Sequence, residues 1–306
     1  MRSLVYRTYR YSRTAIRALR LTKVARRLLG PVTERLIWRM SSHPEEIFVV
    51  QGHKMVLATG DGRPAVGLVA DFYEAATTRL FNRLLKPEMM MVDIGAHVGY
   101  FTLIAAKMVG PVGTVLSFEP DLDNHAALLK NIAMNNYQNV TVAQRAVSGR
   151  EGHAQLHLSQ TGSGRHSMFH HGLPERGSVD IETTTLDATL EELGWPNVDL
   201  IKIDVEGAEI SVLDGMAQLL KNQSDLNLVL EFMPKLLHNA GVTPWQFFDK
   251  LTSLGPEIYF IDEANGIVAI AVGDGSSLVD RLLASETSGN ILCTWGSTKR
   301  EFLLKI

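Results

Sequence analysis

Charged residues cluster at the end of one short apolar segment, residues 200–215, LIKIDVEGAEISVLDG. Lys202 and Asp204 are two positions apart, so on a strand they point to the same face, and Glu206 follows in the next turn. A carboxylate within hydrogen-bond reach of a hydroxyl group can act as a general base. A lysine buried in a sheet needs a carboxylate partner, because an isolated buried charge is costly. Lys202 is therefore expected either to contact a substrate or to pair with an acid on the adjoining strand.

A second segment, residues 89–102, combines an apolar run with spaced glycines in the sequence MMMVDIGAHVGYFT. This pattern predicts a buried parallel strand that leads into a helix N-terminus, the junction where doubly wound sheets bind nucleotide-like ligands. The spacing from Asp93 to Gly95 and Gly99 differs from the dinucleotide pattern G-x-G-x-x-G, and a carboxylate suits a cationic ligand better than a phosphate. A ligand with an amino-acid end and a sulfonium centre meets that requirement. A plain strand-to-helix turn is the alternative.

Another acid, Glu119, ends the next apolar run, residues 114–118. An acidic residue at the tip of the second strand can accept hydrogen bonds from both hydroxyls of a ribose. The alternative is a glutamate that caps the following helix. That alternative is disfavoured because Asp121 and Asp123 already offer N-cap side chains.

Three segments together, VDIGAHVGYFT, SFEP and LIKIDVEGAEISVLDG, resemble the signature segments of the FkbM-type family of S-adenosylmethionine-dependent methyltransferases. The resemblance covers about residues 72–262, and its most specific part is residues 200–215. It implies a class I methyltransferase fold, S-adenosylmethionine as cofactor, and methylation of a hydroxyl on a sugar or natural product. His97 departs from the family, which commonly has asparagine there.

The resemblance also assigns roles to individual residues. The family has a glutamate before the first core strand, so Glu74 is expected near the methionine end of the cofactor, with an exposed helix-end glutamate as the alternative. Transfer to an alcohol requires a base, for which Asp204 is the first candidate, Glu206 the second and Glu231 the third. No metal is required for this chemistry, and none is expected.

Strand and helix patterns alternate from residue 89 onward, which predicts a doubly wound α/β fold with a mostly parallel seven-stranded sheet. Asn265 and Gly266 predict a hairpin that makes the last strand antiparallel, and residues 278–306 are expected to form a closing edge element. We expect a basic N-terminal helical extension over residues 1–44, a front cap over 45–86 and the methyltransferase domain over 87–306.

Residues 149–180 interrupt the alternation and are rich in glycine, serine and histidine. Long loops in compact domains are usually functional, so we expect a flap over the substrate, flanked by two antiparallel strands. The flap region contains five histidines: His153, His157, His166, His170 and His171. Spacing of four residues forms a metal pair only on a helix, which the glycines argue against, so a histidine that touches the substrate is favoured over a metal site.

The net charge of −3 hides a strong asymmetry, because residues 1–29 contain nine basic side chains and no acid. The rest of the chain therefore carries a net charge of about −12, which argues against nucleic-acid binding. The basic segment is expected to form an amphipathic helix that lies on an anionic membrane surface or, alternatively, packs on the domain or on a second subunit. Cys293 is the only cysteine, so no intrachain disulfide can form.

These features favour a cytoplasmic enzyme, either soluble or peripheral at the inner face of the membrane, with its oligomeric state open. A non-catalytic adapter, in which the basic helix is the working part, is the main alternative. The retained Asp93, Gly95, Gly99 and Glu119 argue against it. A nicotinamide-dependent reductase is disfavoured by the glycine spacing.

Overall fold

The computed structural model describes residues 47–57, 68, 73–170, 172, 174–262, 266–269, 280 and 289–296. The predicted N-terminal extension 1–44, with its basic segment 1–29, lies outside the described residues. So do residues 58–67 and 69–72 of the predicted front cap, and His171. None of the helices in the described part of the chain has the length and apolarity that crossing a bilayer requires.

The described residues form thirteen strands and eight α-helices. The strands are β1 Ile47–Val50, β2 His53–Val56, β3 Met90–Ile94, β4 Thr114–Phe118, β5 Val140–Ala143, β6 Ala146–Val147, β7 Gly152–Ser159, β8 Glu175–Thr184, β9 Leu200–Ile203, β10 Leu226–Phe232, β11 Glu257–Asp262, β12 Gly266–Ala269 and β13 Gly289–Trp295. The helices are α1 Ala75–Leu84, α2 Tyr100–Val109, α3 Leu122–Met134, α4 Leu186–Glu192, α5 Glu209–Asp214, α6 Ala217–Asn222, α7 Pro234–Asn239 and α8 Pro244–Ser253.

Eight strands form the central sheet, in the order β12-β11-β13-β10-β9-β3-β4-β5. Five neighbouring strands of this sheet pair in parallel: β5, β4, β3, β9 and β10. The next strand, β13, is antiparallel to both of its neighbours. The predicted doubly wound, mostly parallel α/β sheet is therefore confirmed. The predicted hairpin is also present as β11 and β12, with β12 at the edge of the sheet. The strand beyond the seven predicted ones is β13.

The part of the predicted closing element that the structure describes, residues 289–296, does not lie at an edge of the sheet, so the expectation is wrong for this part. Residues 289–295 form β13, which lies between β10 and β11, and the core of this strand is buried. A short apolar strand with both edges paired belongs inside a sheet, because unpaired edges there would leave backbone groups unsatisfied.

Apolar side chains fill both faces of the sheet. In β10, Val229 packs into one hydrophobic cluster, and Leu228 and Leu230 pack into the other. This alternation is what a strand covered by helices on both sides requires. The core is therefore built of two layers, which fix the strand ends at which charged residues meet.

The hairpin of β1 and β2 is fastened to α3 by asparagine side chains. Asn131 Oδ1 accepts from Val56 N at 2.7 Å, and Asn135 Oδ1 accepts from Lys54 N at 2.9 Å. Asn131 Nδ2 also donates to Val98 O at 2.8 Å, within the glycine-containing turn. These asparagine side chains bond the backbone N–H and C=O groups of β2, as a neighbouring strand would. They attach the hairpin to helix α3, which covers one face of the sheet.

The predicted flap strands are present as the antiparallel pair β7 and β8, and β6 pairs with β8 in parallel. The segment between them folds back on the hairpin through a 3-10 turn at Ser163–Arg165 and a bridge between Ser167 and His157. This segment therefore reaches over the carboxyl ends of the central strands.

Candidate active site

A cleft of about 560 Å³, including its open mouth, lies at the carboxyl ends of β3, β4 and β9 and under the flap. In open α/β sheets this edge is where ligands bind. Its floor and walls combine apolar side chains, among them Phe118, Val147 and Met168, with the acids Glu119, Asp204 and Glu206.

The turn after β3 depends on its two glycines. Gly95 and Gly99 have φ values of +83° and +94°, which side-chain-bearing residues rarely adopt. A Cβ at Gly95 would overlap the carbonyl oxygen of Asp204, and one at Gly99 would meet Leu128 of α3. Both glycines therefore permit close packing within the protein, and Gly95 also lines the cleft.

Asp93 lies beneath this turn. Its side chain is buried, and its Oδ2 accepts a hydrogen bond of 2.6 Å from the hydroxyl of Thr102. Burial raises the pKa of Asp93, and the charge of Lys202, its register partner on β9, opposes that rise. The residues that line the cleft include Gly95 and Glu119 but not Asp93.

Glu119 lies at the tip of β4 and on the wall of the cleft. Its Oε2 accepts from His97 N at 2.8 Å and its Oε1 from Asp121 N at 3.0 Å. Asp121 itself caps α3 by accepting from Asn124 N at 2.9 Å, so Glu119 is not the helix cap. Burial raises the pKa of Glu119 to about 7.

Asn124, in the first turn of α3, also lines the cleft and was not anticipated from the sequence. Its amide nitrogen donates to Ser163 O at 3.2 Å, whereas its buried Oδ1 has no hydrogen-bond partner among the described residues. A buried acceptor without a partner is costly, so it is a place for a ligand donor. Together with the Glu119 carboxylate it fits the N–H and O–H groups of a nucleoside.

Lys202 forms an ion pair at the end of β9. Its Nζ is 2.6 Å from Asp204 Oδ2 and 4.8 Å from the centroid of the Phe101 ring. Although burial opposes the charge of Lys202, the Asp204 carboxylate raises the pKa of the ammonium group above its ordinary value. Lys202 is not among the lining residues of the cleft, whereas Asp204 is.

Three carboxylates, those of Asp204, Glu206 and Glu231, meet at the ends of β9 and β10. Each offers one oxygen, and the three oxygens lie within 4.8 Å of one another. Burial and the neighbouring charge of Asp204 raise the pKa of Glu206 to about 8, and the same causes raise the pKa of Glu231. Glu231 Oε2 is buried and has no hydrogen-bond partner within the described part of the chain. This carboxylate cluster has excess negative charge, which suits a cationic ligand or a proton.

Glu74 precedes α1 with a φ of 38°, and Asn290 Nδ2 on β13 donates to its Oε2 at 2.7 Å. Asn290 is the register partner of Glu231, so this hydrogen bond links Glu74 to the end of β10. The structure therefore brings Glu74 near the carboxylate cluster, but not among the residues that line the cleft.

The flap closes on the turn after β3. His97 Nε2 lies 2.7 Å from Ser163 Oγ, and Gly164 packs against the same imidazole ring. Ser167 Oγ donates to Glu206 O at 2.7 Å. His166 lines the cleft with Ser163 and Ser167, so one of the predicted flap histidines reaches it.

Curated relatives share the central part of the chain. The match to methyltransferase sdnD of Sordaria araneosa is 28% identical and covers 52% of this chain and 71% of sdnD. The match to 2-O-methyltransferase NoeI of Sinorhizobium fredii is 28% identical and covers 45% and 61%. The match to the hexuronic acid methyltransferase AglP of Haloferax volcanii is 26% identical and covers 56% and 64%. The chain thus spans less than two thirds of NoeI and AglP.

Solved structures that the chain resembles at low similarity include a SAM-dependent methyltransferase from Aquifex aeolicus, with 13% identity, coverage of 73% of this chain and 90% of that one, and a TM-score of 0.41. A SAM-dependent O-methyltransferase from Thermotoga maritima has 12% identity, coverage of 84% and 80%, and a TM-score of 0.41.

The methyltransferase FkbM domain matches residues 93–248, which is just over half of the chain and runs from the end of β3 through β4, β9 and β10. The predicted methyltransferase activity and the predicted cofactor, S-adenosylmethionine, are confirmed by this match. The chain belongs to the FkbM methyltransferase family.

Proposed function

We propose that this protein is an O-methyltransferase that acts on a hydroxyl of a glycan, glycolipid or other small molecule. The observation that carries the proposal is the carboxylate cluster of Asp204, Glu206 and Glu231, two members of which line the cleft. A hydroxyl acceptor needs a base, and these are the groups that can supply one. Support also comes from the names of two relatives, 2-O-methyltransferase NoeI and hexuronic acid methyltransferase AglP.

The residues around the turn after β3 are proposed to hold the cofactor. Glu119 and the free acceptor of Asn124 take the hydroxyl and amine donors of its nucleoside, against the apolar wall of the cleft. Gly95 and Gly99 shape the turn, and buried Asp93 supports it from below through Thr102. Glu74 is proposed to approach the methionine end. When bound, S-adenosylmethionine supplies an electrophilic methyl group on a positively charged sulfur.

Asp204 is proposed as the base that takes the acceptor's hydroxyl proton. Lys202 holds its carboxylate in place and stabilises the negative charge, so Lys202 is a positioning residue. Glu206, whose pKa is raised to about 8, is largely protonated at neutral pH and is the second candidate. Orientation of the acceptor in the cleft can contribute several kcal/mol, on the order of 7–11 at best, to lowering the barrier.

The remaining expectations also stay proposals. They are the division into an extension at 1–44, a front cap at 45–86 and a methyltransferase domain at 87–306, and attachment of residues 1–29 to an anionic membrane. The alternative is a non-catalytic adapter in which the methyltransferase-like domain is a scaffold for the basic helix, and such a scaffold has no need of both Asp93 and Glu119.

The experiment that tests the proposal uses S-adenosylmethionine with a labelled methyl group and a panel of neutral sugars and hexuronic acids. NMR of the products distinguishes a methyl ether from a methyl ester. We expect an ether, because a hydroxyl acceptor uses the base, whereas a carboxylate acceptor is already deprotonated. A product that is only an ester or an N-methyl amine would contradict the proposal, and cofactor binding without transfer to any acceptor would favour the adapter.

A further inference from the structure

The flap contains a group of side chains that methyl transfer does not use. His157, His170 and Glu175 each offer one atom that can bind a metal, and these atoms lie within 4.8 Å of one another. His157 Nδ1 is 3.2 Å from Glu175 Oε2, and His170 Nδ1 is 3.0 Å from Glu175 Oε1. The centroids of the two imidazole rings are 3.7 Å apart, and the ring planes are tilted by 42°.

We propose that these three residues form a binding site for a transition-metal ion such as Zn²⁺. Two imidazole nitrogens and one carboxylate oxygen suit zinc and its neighbours, whereas Mg²⁺ and Ca²⁺ favour sites made of oxygen alone. Ligand atoms about 2.0–2.1 Å from one tetrahedral ion lie roughly 3.3 Å apart. The observed distances of 3.0 and 3.2 Å are close to that spacing, although each runs to a different oxygen of Glu175. A small rotation of the carboxylate would therefore let an ion replace the two hydrogen bonds and bind one of these oxygens. Three protein ligands leave one position for water.

The fold brings these residues together from separate points of the flap. His157 lies on β7, where its backbone N donates to Ser167 O at 2.8 Å and its backbone O accepts from Ser167 N at 3.2 Å. His170 follows three residues after this bridge, and Glu175 begins β8. The side chain of His170 is 75% exposed, while those of His157 and Glu175 are 14% and 21% exposed, so solvent can deliver an ion to a partly enclosed pair.

A metal ion at this site would join the fold-back segment of the flap to both of its strands. That segment contributes Ser163, His166, Ser167 and Met168 to the cleft. Metal binding would therefore stabilise the closed position of the flap. This role is structural and separate from the carboxylate cluster at the ends of β9 and β10.

The test is a titration of the full chain, first freed of metal with a chelator, with Co²⁺ followed by Zn²⁺. We expect one Co²⁺ per chain with the intense visible absorption of a tetrahedral site, displaced by Zn²⁺, and a higher melting temperature with metal. His170→Asn, at an exposed position, and Glu175→Gln should each weaken binding by about 100-fold or more, since even residues around the ligands change affinity by about 10–100-fold.

His153→Asn is the matched control, because His153 also pairs with a carboxylate on this hairpin, Asp180 at 3.0 Å, but belongs to no group of three metal-binding side chains among the described residues. This variant should bind Co²⁺ as the unaltered chain does. Binding that survives His170→Asn and is lost in Glu231→Gln would place the metal in the carboxylate cluster and overturn the proposal. Failure of the unaltered chain to bind Co²⁺ at submillimolar concentration would also overturn it.

Discussion

Asp204 is the residue on which the proposed chemistry depends most directly. Asp204→Asn keeps an oxygen that can accept from Lys202 but removes the base. We expect kcat to fall by about 10²–10⁴-fold, the usual contribution of a positioned base, with little change in KM for the acceptor. Steady-state kinetics with the acceptor found in the labelling screen measures this.

Asp180→Asn is a suitable control, because Asp180 is an exposed carboxylate of the flap that pairs with His153. Its activity should match that of the unaltered chain. If Glu206→Gln reduces kcat more than Asp204→Asn does, Glu206 is the base and the assignment to Asp204 is wrong.

Glu119 gives a prediction about pH. Its pKa is about 7, so below that pH the carboxyl group is largely protonated and one of its acceptor sites carries a proton. Cofactor hydroxyls bind the ionised form better, so affinity for S-adenosylhomocysteine should rise up to about tenfold per pH unit toward pH 7 and level off above it. Titration calorimetry between pH 5.5 and 8.5 measures the trend.

Glu119→Gln cannot ionise and is the variant that isolates this group from Glu206 and Glu209, which also have raised pKa values. It should bind more weakly at pH 8 and show a much smaller pH dependence. An unchanged pH dependence in Glu119→Gln would assign the titration to another acid.

The same raised pKa of Glu119 also makes the free energy of unfolding depend on pH. Because the folded state binds the proton more tightly than the unfolded state, Glu119 favours folding at low pH, and this contribution is lost as the pH rises through about 7.

The acids of the cleft could be predicted from the sequence, because the end of a buried strand is recognisable where an apolar run stops. Glu119, Asp204 and Glu206 follow apolar runs, and parallel strands bring such positions to one edge. Asn124 was not found, since an asparagine in the first turn of a helix has no pattern that distinguishes a ligand contact from an exposed surface position. A metal site among the flap histidines was considered and disfavoured, because only helical spacing was weighed, whereas His157, His170 and Glu175 meet across a hairpin.

At the scale of elements, the turn between β3 and α2 brings Gly95 against the backbone of Asp204, the proposed base. Gly95→Ala would force a Cβ into the backbone of Asp204, in addition to the strain of a φ of +83°. Left-handed strain alone costs about 1–2 kcal/mol, and overpacking adds about 1–3 kcal/mol. We therefore expect the free energy of unfolding to fall by about 2–5 kcal/mol, measured by urea denaturation.

Gly255→Ala separates the two causes, because Gly255 has a similar φ of +78° and nothing within 4 Å of its added Cβ. It should cost only about 1–2 kcal/mol. Equal losses in the two variants would show that the contact with Asp204 is not tight, and would weaken the argument that this glycine fixes the position of the base.

The order of the elements could be predicted where strands and helices alternate, which is from β3 to β11 apart from the flap strands. It failed for β13, which is antiparallel and lies between two strands that precede it in the chain. Local pattern shows that Gly289–Trp295 is apolar enough to be buried. It does not show which strands the segment pairs with, since that depends on contacts far apart in sequence.

At the scale of the whole molecule, charge divides the chain into two parts. Residues 1–29 have nine basic side chains and no acid, and the remaining residues have a net charge of about −12. The acidic part is repelled by anionic surfaces, so any attraction to them must come from the first 29 residues. Each cation near a membrane contributes about 1 kcal/mol, which falls as salt screens the charge.

We therefore predict that the full chain binds vesicles containing phosphatidylserine and that a chain lacking residues 1–29 does not. Vesicle sedimentation at about 50 and 500 mM salt measures this, and binding should decrease at the higher salt because the Debye length shortens. Vesicles of neutral phosphatidylcholine are the lipid control. S-adenosylhomocysteine binding by the truncated chain should be unchanged, since the cleft is built from residues 94–206. Equal vesicle binding by both chains would contradict the membrane role, and loss of cofactor binding on truncation would instead place the basic segment against the methyltransferase domain.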